Sequence, residues 1–168
     1  MYELKQLGSQ SYYIESPAKI GIYRQNDTDI YLIDSGNDKE AGKKVVKIAN
    51  QNNWRIKAII NTHSNADHIG GNHYIQEQTN CPIFAKGIEA AFTNHPILEP
   101  SFLYGGYPCK ELRSKFLLAK SSKVNDISHD DFPKELEVIP LPGHFFDMIG
   151  IHTSDNVVFL ADCISSKS

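Results

Sequence analysis

The chain has 168 residues, of which 40% are hydrophobic and 22% are charged, and its formal net charge at pH 7 is -3. This length suits one globular domain, so we expect a single domain over residues 1–168. The slightly acidic balance and the scattered basic residues argue against nucleic acid and acidic membrane surfaces as partners. No apolar run approaches the roughly 20 residues that a membrane span needs.

The cysteines and the N-terminus indicate the compartment. Cys81, Cys109 and Cys163 are widely spaced and form neither a CxxC pair nor a disulfide framework. The first residues carry no apolar region of a signal peptide. We therefore expect a reducing, cytoplasmic setting.

The first half of the chain alternates short strands with one clear helix. β-Branched and aromatic residues predict strands over 12–14, 19–23 and 29–33, and the last strand stops at a turn cluster, 34–36. An apolar stripe with lysines opposite predicts a helix over 39–53. A buried strand over 56–60 leads directly into NTHSNADHIGGN, residues 61–72. A helix over 71–77 and a strand over 82–85 are expected next.

The second half begins with a mixed pattern. Helices are expected near 88–93 and over 111–119, with prolines and glycines between them. These breakers predict a loop and helical insertion at about 87–132. Strands are predicted over 137–141, 149–152 and 157–160. Strands, then a helix, then strands predict an α/β layered fold.

Side chains that can bind a metal follow three of the predicted strands. The strand over 56–60 is followed by His63, Asn65, Asp67 and His68. His144 follows the strand over 137–141, and Asp162 follows the strand over 157–160. Residues just past a strand end are well placed to face a shared cleft. Imidazole and carboxylate groups suit a divalent ion such as zinc. Taken singly, His144 reads as a turn residue, and Asp67 or Asp162 as a helix cap.

These segments carry a family resemblance. THSNADHIGGN, residues 62–72, resembles the H-x-H-x-D-H signature and following glycine pair of the metallo-β-lactamase-fold hydrolases, the glyoxalase II-like and β-lactamase-like enzymes. LIDSG at 32–36, LPGHFFDMIGI at 141–151 and FLADC at 159–163 resemble further blocks of that family, in family order. The resemblance implies a four-layer αββα sandwich made from two similar halves.

The resemblance also implies a site and a reaction. It places the first metal on His63 and His144 and the second on Asp67 and His68, with Asp162 as the bridge. Asp34 is then expected to steady the ligands through hydrogen bonds. One or two zinc ions are the expected cofactor, with iron or manganese open. The implied function is hydrolysis of an ester, thioester or amide bond in a small molecule, with Asp67 as the catalytic residue that orients the attacking water.

The first departure from the family pattern is Asn65, which stands where the family has its second histidine. A neutral amide oxygen is a much poorer zinc donor than imidazole, so we expect a degenerate first site. Asn65 is either a weak ligand or a hydrogen-bonding residue only. Some active family members carry an asparagine at the first histidine of the motif and use one metal in the second site.

Two other functions remain open at this point. One is a catalytically inactive binding or scaffold member of the same fold, which Asn65 favours. The other is a flavin-partnered di-iron oxidoreductase. That branch typically has glutamate where Asn65 sits, and this sequence shows no flavin domain.

The second departure is length. In the family a last histidine ligand follows the bridging aspartate by tens of residues, whereas this sequence ends six residues after Asp162. We therefore expect the C-terminal half of the sandwich to be incomplete, with an open sheet edge and uncovered apolar surface. A homodimer or a complementing chain is the partner expected at that edge.

Overall fold

A computed structural model describes residues 2–114 and 116–164. Its strands are β1 (Glu3–Gln6), β2 (Ser11–Glu15), β3 (Ile20–Arg24), β4 (Asp29–Ile33), β5 (Arg55–Ile60), β6 (Ile83–Ala85), β7 (Val124–Asp126), β8 (Glu137–Pro140), β9 (Ile149–His152) and β10 (Val158–Phe159). Its α-helices are α1 (Lys39–Gln51), α2 (Ala66–Ile69), α3 (Asn72–Thr79), α4 (Ile88–Asn94) and α5 (Leu98–Tyr104).

The larger sheet contains seven strands in the order β1 to β7. Strands β1 to β4 are antiparallel neighbours, whereas β4 to β7 run parallel. The carboxyl ends of the parallel strands therefore meet at one edge of the sheet. There the Asp34 amide donates to the Ile60 carbonyl oxygen at 2.9 Å, which joins the ends of β4 and β5. This edge carries the candidate site.

Helices α1 and α3 cover one face of the larger sheet. Val45 and Ala49 of α1 and Ile75 of α3 are buried in one core with Leu32 of β4. The stripe predicted from the sequence thus faces the sheet, because burying that stripe removes apolar surface from water.

The smaller sheet, in the order β10-β9-β8, covers the opposite face. Tyr31 and Ile33 of β4 share a core with Ile149 and Ile151 of β9. Successive residues of β4 face the two cores in turn, as the period of a strand requires. Helices, larger sheet and smaller sheet form successive layers in the part of the chain described, and they match the expected sandwich.

Asp155, in the turn between β9 and β10, ties that turn to the start of β2. Its carboxylate accepts from the amides of Gln10 and Ser11 at 2.8 and 2.9 Å. It also accepts from the hydroxyls of Ser11 and Thr153 at 2.6 and 2.7 Å. Burial raises the pKa of Asp155, but these hydrogen bonds outweigh it and hold the pKa at about 2.

Replacing Asp155 with asparagine is expected to lower the free energy of unfolding by about 1–2 kcal/mol at neutral pH. Because the folded pKa is depressed, this stabilisation is present above the unfolded pKa of about 3.9 and is lost as pH falls toward 2. Urea unfolding at several pH values measures the difference. The exposed Asp130 provides the control variant Asp130→Asn, expected within about 0.5 kcal/mol of the parent. If Asp155→Asn and the parent still differed in free energy of unfolding in strong acid, the result would contradict this account.

Several elements differ from the sequence prediction. The prediction of a helix over 111–119 is wrong for the residues of that segment that the structure describes, which leave out position 115, because they form a short 3-10 helix, Lys110–Leu112, and no longer helix. None of the described residues of this segment is fully buried, so little packing supports a longer helix. Helix α5 was missed because Pro100 reads as a breaker. Pro100 is the third residue of α5, where its missing N–H has no intrahelical acceptor. Strands β1 and β7 and helix α2 were also missed.

The predicted insertion at about 87–132 holds α4, α5 and β7. Strand β7 pairs with β6 as part of the larger sheet, and α4 packs beside both strands. In the smaller sheet, β10 lies at an edge with Val158 exposed. Among the described residues, no helix is both long and apolar enough to cross a membrane.

Candidate metal centre

Asp34 joins three segments at the edge of the larger sheet. It follows β4 in a left-handed backbone conformation with φ of 64°, which an aspartate tolerates better than most residues. Its buried Oδ1 accepts from the Thr62 amide at 2.8 Å. Its Oδ2 accepts from the Thr62 hydroxyl at 2.7 Å and lies 2.8 Å from His68 Nδ1. One carboxylate thus fixes the end of β4, the loop after β5 and helix α2.

His63 is fully buried, and its tautomer follows from the surrounding hydrogen bonds. The single hydroxyl hydrogen of Thr62 points to Asp34, because an ionised carboxylate only accepts. The Thr62 oxygen, 3.0 Å from His63 Nδ1, must then accept from that nitrogen. His63 Nε2 keeps its lone pair and is buried with no hydrogen-bond partner among the described residues. Burial first, and then His68, lower the pKa of His63 to about 4, so the ring is neutral at pH 7.

His68 points its second nitrogen at two carboxylates. Its Nδ1 donates to Asp34, and its Nε2 lies 3.4 Å from Asp162 Oδ1 and 3.8 Å from Asp67 Oδ2. Burial lowers the pKa of His68, but Asp34 and Asp162 outweigh burial and raise it to about 10. The hydrogen bond from His68 in turn lowers the pKa of Asp162 to about 2. A cation binding at Nε2 therefore has to replace a proton.

His144 and Asp162 approach the centre from the smaller sheet. Each follows a residue with positive φ, Gly143 at 149° and Ala161 at 47°. A left-handed alanine is disfavoured, so the surrounding structure holds it in place. His144 Nε2 lies 3.6 Å from Asp162 Oδ2, and both side chains are open to solvent.

The structure brings five of the six predicted metal ligands close together. His63, His144 and Asp162 each offer a ligand atom, and these atoms lie within 4.8 Å of one another. His68 lies beside Asp162, and Asp67 lies at the more exposed side of His68. Which of these residues ligate stays a prediction.

The sixth predicted ligand, Asn65, contacts a residue that the sequence did not reveal. Its Nδ2 donates to Glu99 Oε1 at 2.7 Å, while its Oδ1 is buried without a hydrogen-bond partner among the described residues. The other oxygen of Glu99 accepts from the Ala66 amide at 3.0 Å. Burial raises the pKa of Glu99 to about 7.

Glu89 binds Ser64, the residue before Asn65, in a similar way. Its Oε2 accepts from the amide and hydroxyl of Ser64 at 3.0 and 2.6 Å, and its Oε1 accepts from the Asp147 amide at 2.8 Å. Burial raises the pKa of Glu89. The sequence did carry a signal, because each glutamate stands among apolar residues, in IEAAF and ILEPSF. That pattern indicates burial but gives no partner.

The centre opens to two cavities. One of about 610 Å³ is lined by Asp67, His68 and Asp162 together with apolar residues such as Phe159. The second, of about 300 Å³, is lined by His144 and three aromatic residues, Phe102, Phe145 and Phe146. Both cavities therefore place apolar surface beside the centre.

The donor set fits a divalent cation. An unpartnered buried nitrogen such as His63 Nε2 costs about 1–3 kcal/mol unless something pairs with it. Neutral imidazole and carboxylate oxygen are the donors that zinc, iron and manganese accept. Asp34 fixes the orientation of both buried histidines, directly for His68 and through Thr62 for His63, as carboxylates do around metal-binding histidines.

The comparisons with known proteins come from a family model and from solved structures. The model described as the metallo-β-lactamase superfamily matches residues 9–163. No curated protein matches the chain at a significant level.

Similar solved structures include the subclass B3 metallo-β-lactamase BJP-1 of Bradyrhizobium japonicum, which is 20% identical with a TM-score of 0.67. That match covers 89% of this chain and 56% of the other. A Cronobacter sakazakii metallo-β-lactamase with a HARLDQ motif is 14% identical with a TM-score of 0.71, covering 93% of this chain and 62% of that one. At these identities the likeness shows the fold alone, and the chain spans about 56–62% of these two proteins.

Proposed function

Because the chain belongs to the metallo-β-lactamase superfamily, we propose that it is a metal-dependent hydrolase of an ester, thioester or amide bond in a small molecule. The convergence of His63, His144 and Asp162, with ligand atoms within 4.8 Å, is the observation that carries this proposal. The activity is proposed for the whole protein, since the chain spans only about 56–62% of the similar enzymes.

The proposed cofactor is one or two zinc ions, with iron or manganese as alternatives. We assign His63, His144 and Asp162 to the first site, with Asn65 as a weak oxygen ligand. Asp67 and His68 form the second site and share Asp162. The HARLDQ motif of the Cronobacter protein has arginine at its third position, where Asn65 stands in HSNADH, which supports tolerance of a replaced histidine there.

A divalent ion bound here supplies Lewis acidity and a water activated near neutral pH. Asp67 has a side chain that is 52% exposed, and it lies between solvent and His68. We assign it the role of orienting the attacking water and accepting its proton. Asp34 accepts from Nδ1 of His68, so that Nε2 is the nitrogen available to the ion once its proton is displaced. The apolar cavities beside the centre bind the non-reacting part of the substrate.

The test combines metal content with hydrolysis. Purified protein is stripped with a chelator, and thioester, aryl ester and β-lactam substrates are then assayed before and after zinc is added back. We expect stripping to abolish turnover and zinc to restore it. A folded, zinc-loaded protein that hydrolyses none of these substrates would remove the proposal.

The second candidate function is a catalytically inactive binding or scaffold member of the same fold. The bond from Asn65 to Glu99 favours it, because a histidine donor is replaced by a side chain that is already engaged. We expect Asn65→His to raise zinc affinity about tenfold or more, since imidazole is the better zinc ligand. Tighter zinc binding without any hydrolysis supports the binding function, and hydrolysis that rises with zinc binding supports the enzyme.

We further propose a cytoplasmic location and a homodimer or complementing chain at the β10 edge. All three cysteines are free, which suits a reducing setting. The exposed Val158 at that edge supports a partner there. Measurement of molar mass in solution tests the partner proposal directly.

A further inference from the structure

The amide of Asn65 has one satisfied end and one unsatisfied end. Nδ2 donates to Glu99 Oε1 at 2.7 Å, whereas Oδ1 is buried without a hydrogen-bond partner among the described residues. His63 Nε2, two residues earlier, is a second buried atom in the same condition. Each unpaired buried acceptor costs about 1–3 kcal/mol. A single cation that both atoms contact removes both costs.

Glu99 determines which end of the amide faces it. A carboxylate offers only acceptors, so the NH₂ end of Asn65 must turn toward Glu99 and the oxygen must turn away. The second oxygen of Glu99 accepts from the Ala66 amide at 3.0 Å, which fixes the carboxylate itself. Glu99 is 4% exposed, so water does not replace either bond.

We infer that Glu99 is a positioning residue that turns the Asn65 amide so that its oxygen is presented to the cation. This inference rests on the proposed metal site. An amide can bind a cation only through oxygen, so an amide free to rotate would present a non-binding NH₂ group part of the time. By holding the nitrogen, Glu99 makes a weak ligand usable at a position where the family has a histidine.

The fold explains why α5 supplies this residue. Glu99 lies 34 residues after Asn65 in the chain and belongs to the first turn of α5. The segment predicted as a loop and helical insertion at about 87–132 therefore reaches the loop that carries Asn65. Its residue Glu99 contacts the loop that carries Asn65 and Ala66.

The first test is the substitution Glu99→Gln. The amide of Ala66 still requires an acceptor, so the oxygen of the new side chain faces Ala66 and its NH₂ group faces Asn65. Asn65 must then reverse, with its oxygen toward position 99. We expect affinity for zinc, measured by calorimetric titration, to fall about 10-fold to 100-fold.

Glu89→Gln is the matched control. Glu89 is also buried and also accepts from the same loop, but it contacts Ser64 and not Asn65. If loosening of the loop were the cause, both variants would weaken zinc binding equally. We expect Glu89→Gln to keep zinc affinity within about threefold of the parent even where it lowers stability.

A charge-conserving double variant provides the rescue. Asn65→Asp combined with Glu99→Gln lets the new NH₂ group donate to one carboxylate oxygen and leaves the other for the cation. We expect it to recover the zinc affinity lost in Glu99→Gln. NMR of metal-free protein gives a second readout. Because Asn65 donates to Glu99, we expect the side-chain amide resonance of Asn65 to change its position in the single variant Glu99→Gln.

The outcomes separate this inference from the proposed function. A parent protein that binds no zinc removes the proposed metal site. A parent that binds zinc together with a Glu99→Gln variant of equal affinity, or a double variant without recovery, overturns the positioning role only.

Discussion

Replacement of His63 with alanine is expected to reduce zinc affinity by about 100-fold or more, because it removes the one imidazole that is both buried and neutral at pH 7. Its Nε2 is without a hydrogen-bond partner among the described residues, and burial lowers its pKa to about 4. No proton therefore competes for this nitrogen near neutral pH. Calorimetric titration with zinc and metal content after dialysis measure the loss.

A melting experiment gives a second readout for His63. A ligand at 100 times its dissociation constant stabilises a folded protein by about 2.7 kcal/mol, so zinc should raise the melting temperature of the parent and raise that of His63→Ala much less. His152→Ala is the control, because His152 lies on β9 and pairs with Glu137 away from the centre. An unaltered zinc response in His63→Ala would remove His63 from the ligand set.

Asp34→Asn is expected to weaken zinc binding about 100-fold or more while leaving the protein folded. The Thr62 amide needs an acceptor, so the new NH₂ group takes the place of Oδ2. It then donates to His68 Nδ1 and to the Thr62 hydroxyl, and that hydroxyl turns to donate to His63 Nδ1. Both histidines are pushed into the tautomer with hydrogen on Nε2, which cannot bind a metal.

Every group near Asp34 finds a hydrogen-bond partner again, but the buried charge pair with His68 is lost, so we expect Asp34→Asn to lower the free energy of unfolding by about 3–5 kcal/mol. Nitrogen chemical shifts of the two imidazoles report the tautomers directly. Thr62→Val is the graded control, since it removes the hydroxyl that connects Asp34 to His63 but keeps the bond between His68 and Asp34, and it should cost about tenfold in zinc affinity. Unchanged tautomers in Asp34→Asn would contradict the hydrogen-bond assignment.

These expectations share one physical basis. In this centre, hydrogen-bond direction decides whether a side chain can bind a cation. Asp34 sets the tautomers of His63 and His68, and Glu99 sets the orientation of Asn65. Each of the two carboxylates is fixed in turn by a backbone amide, Thr62 for Asp34 and Ala66 for Glu99. The backbone of the signature loop therefore orients its own ligands.

The sequence predicted elements well wherever a local pattern carries the information. Strand β4 and strand β9 have the predicted bounds, and α1 begins at the predicted residue, Lys39. Such patterns depend on neighbours within one element, which the chain itself displays. Prediction was poorest between residues 95 and 123, where Pro100 concealed α5 and exposed residues near Lys110 formed only a short 3-10 helix.

The sequence by itself determined the alternation of strands and helices and placed His63, His144 and Asp162 each just past a strand. It did so because these are local properties of the chain. Only the tertiary structure decided that their ligand atoms lie within 4.8 Å of one another. It also decided that Glu99 accepts a hydrogen bond from Asn65, which lies 34 residues earlier in the chain. Such contacts arise from packing of distant segments, and apolar periodicity specifies that a face is buried but not which partner it meets.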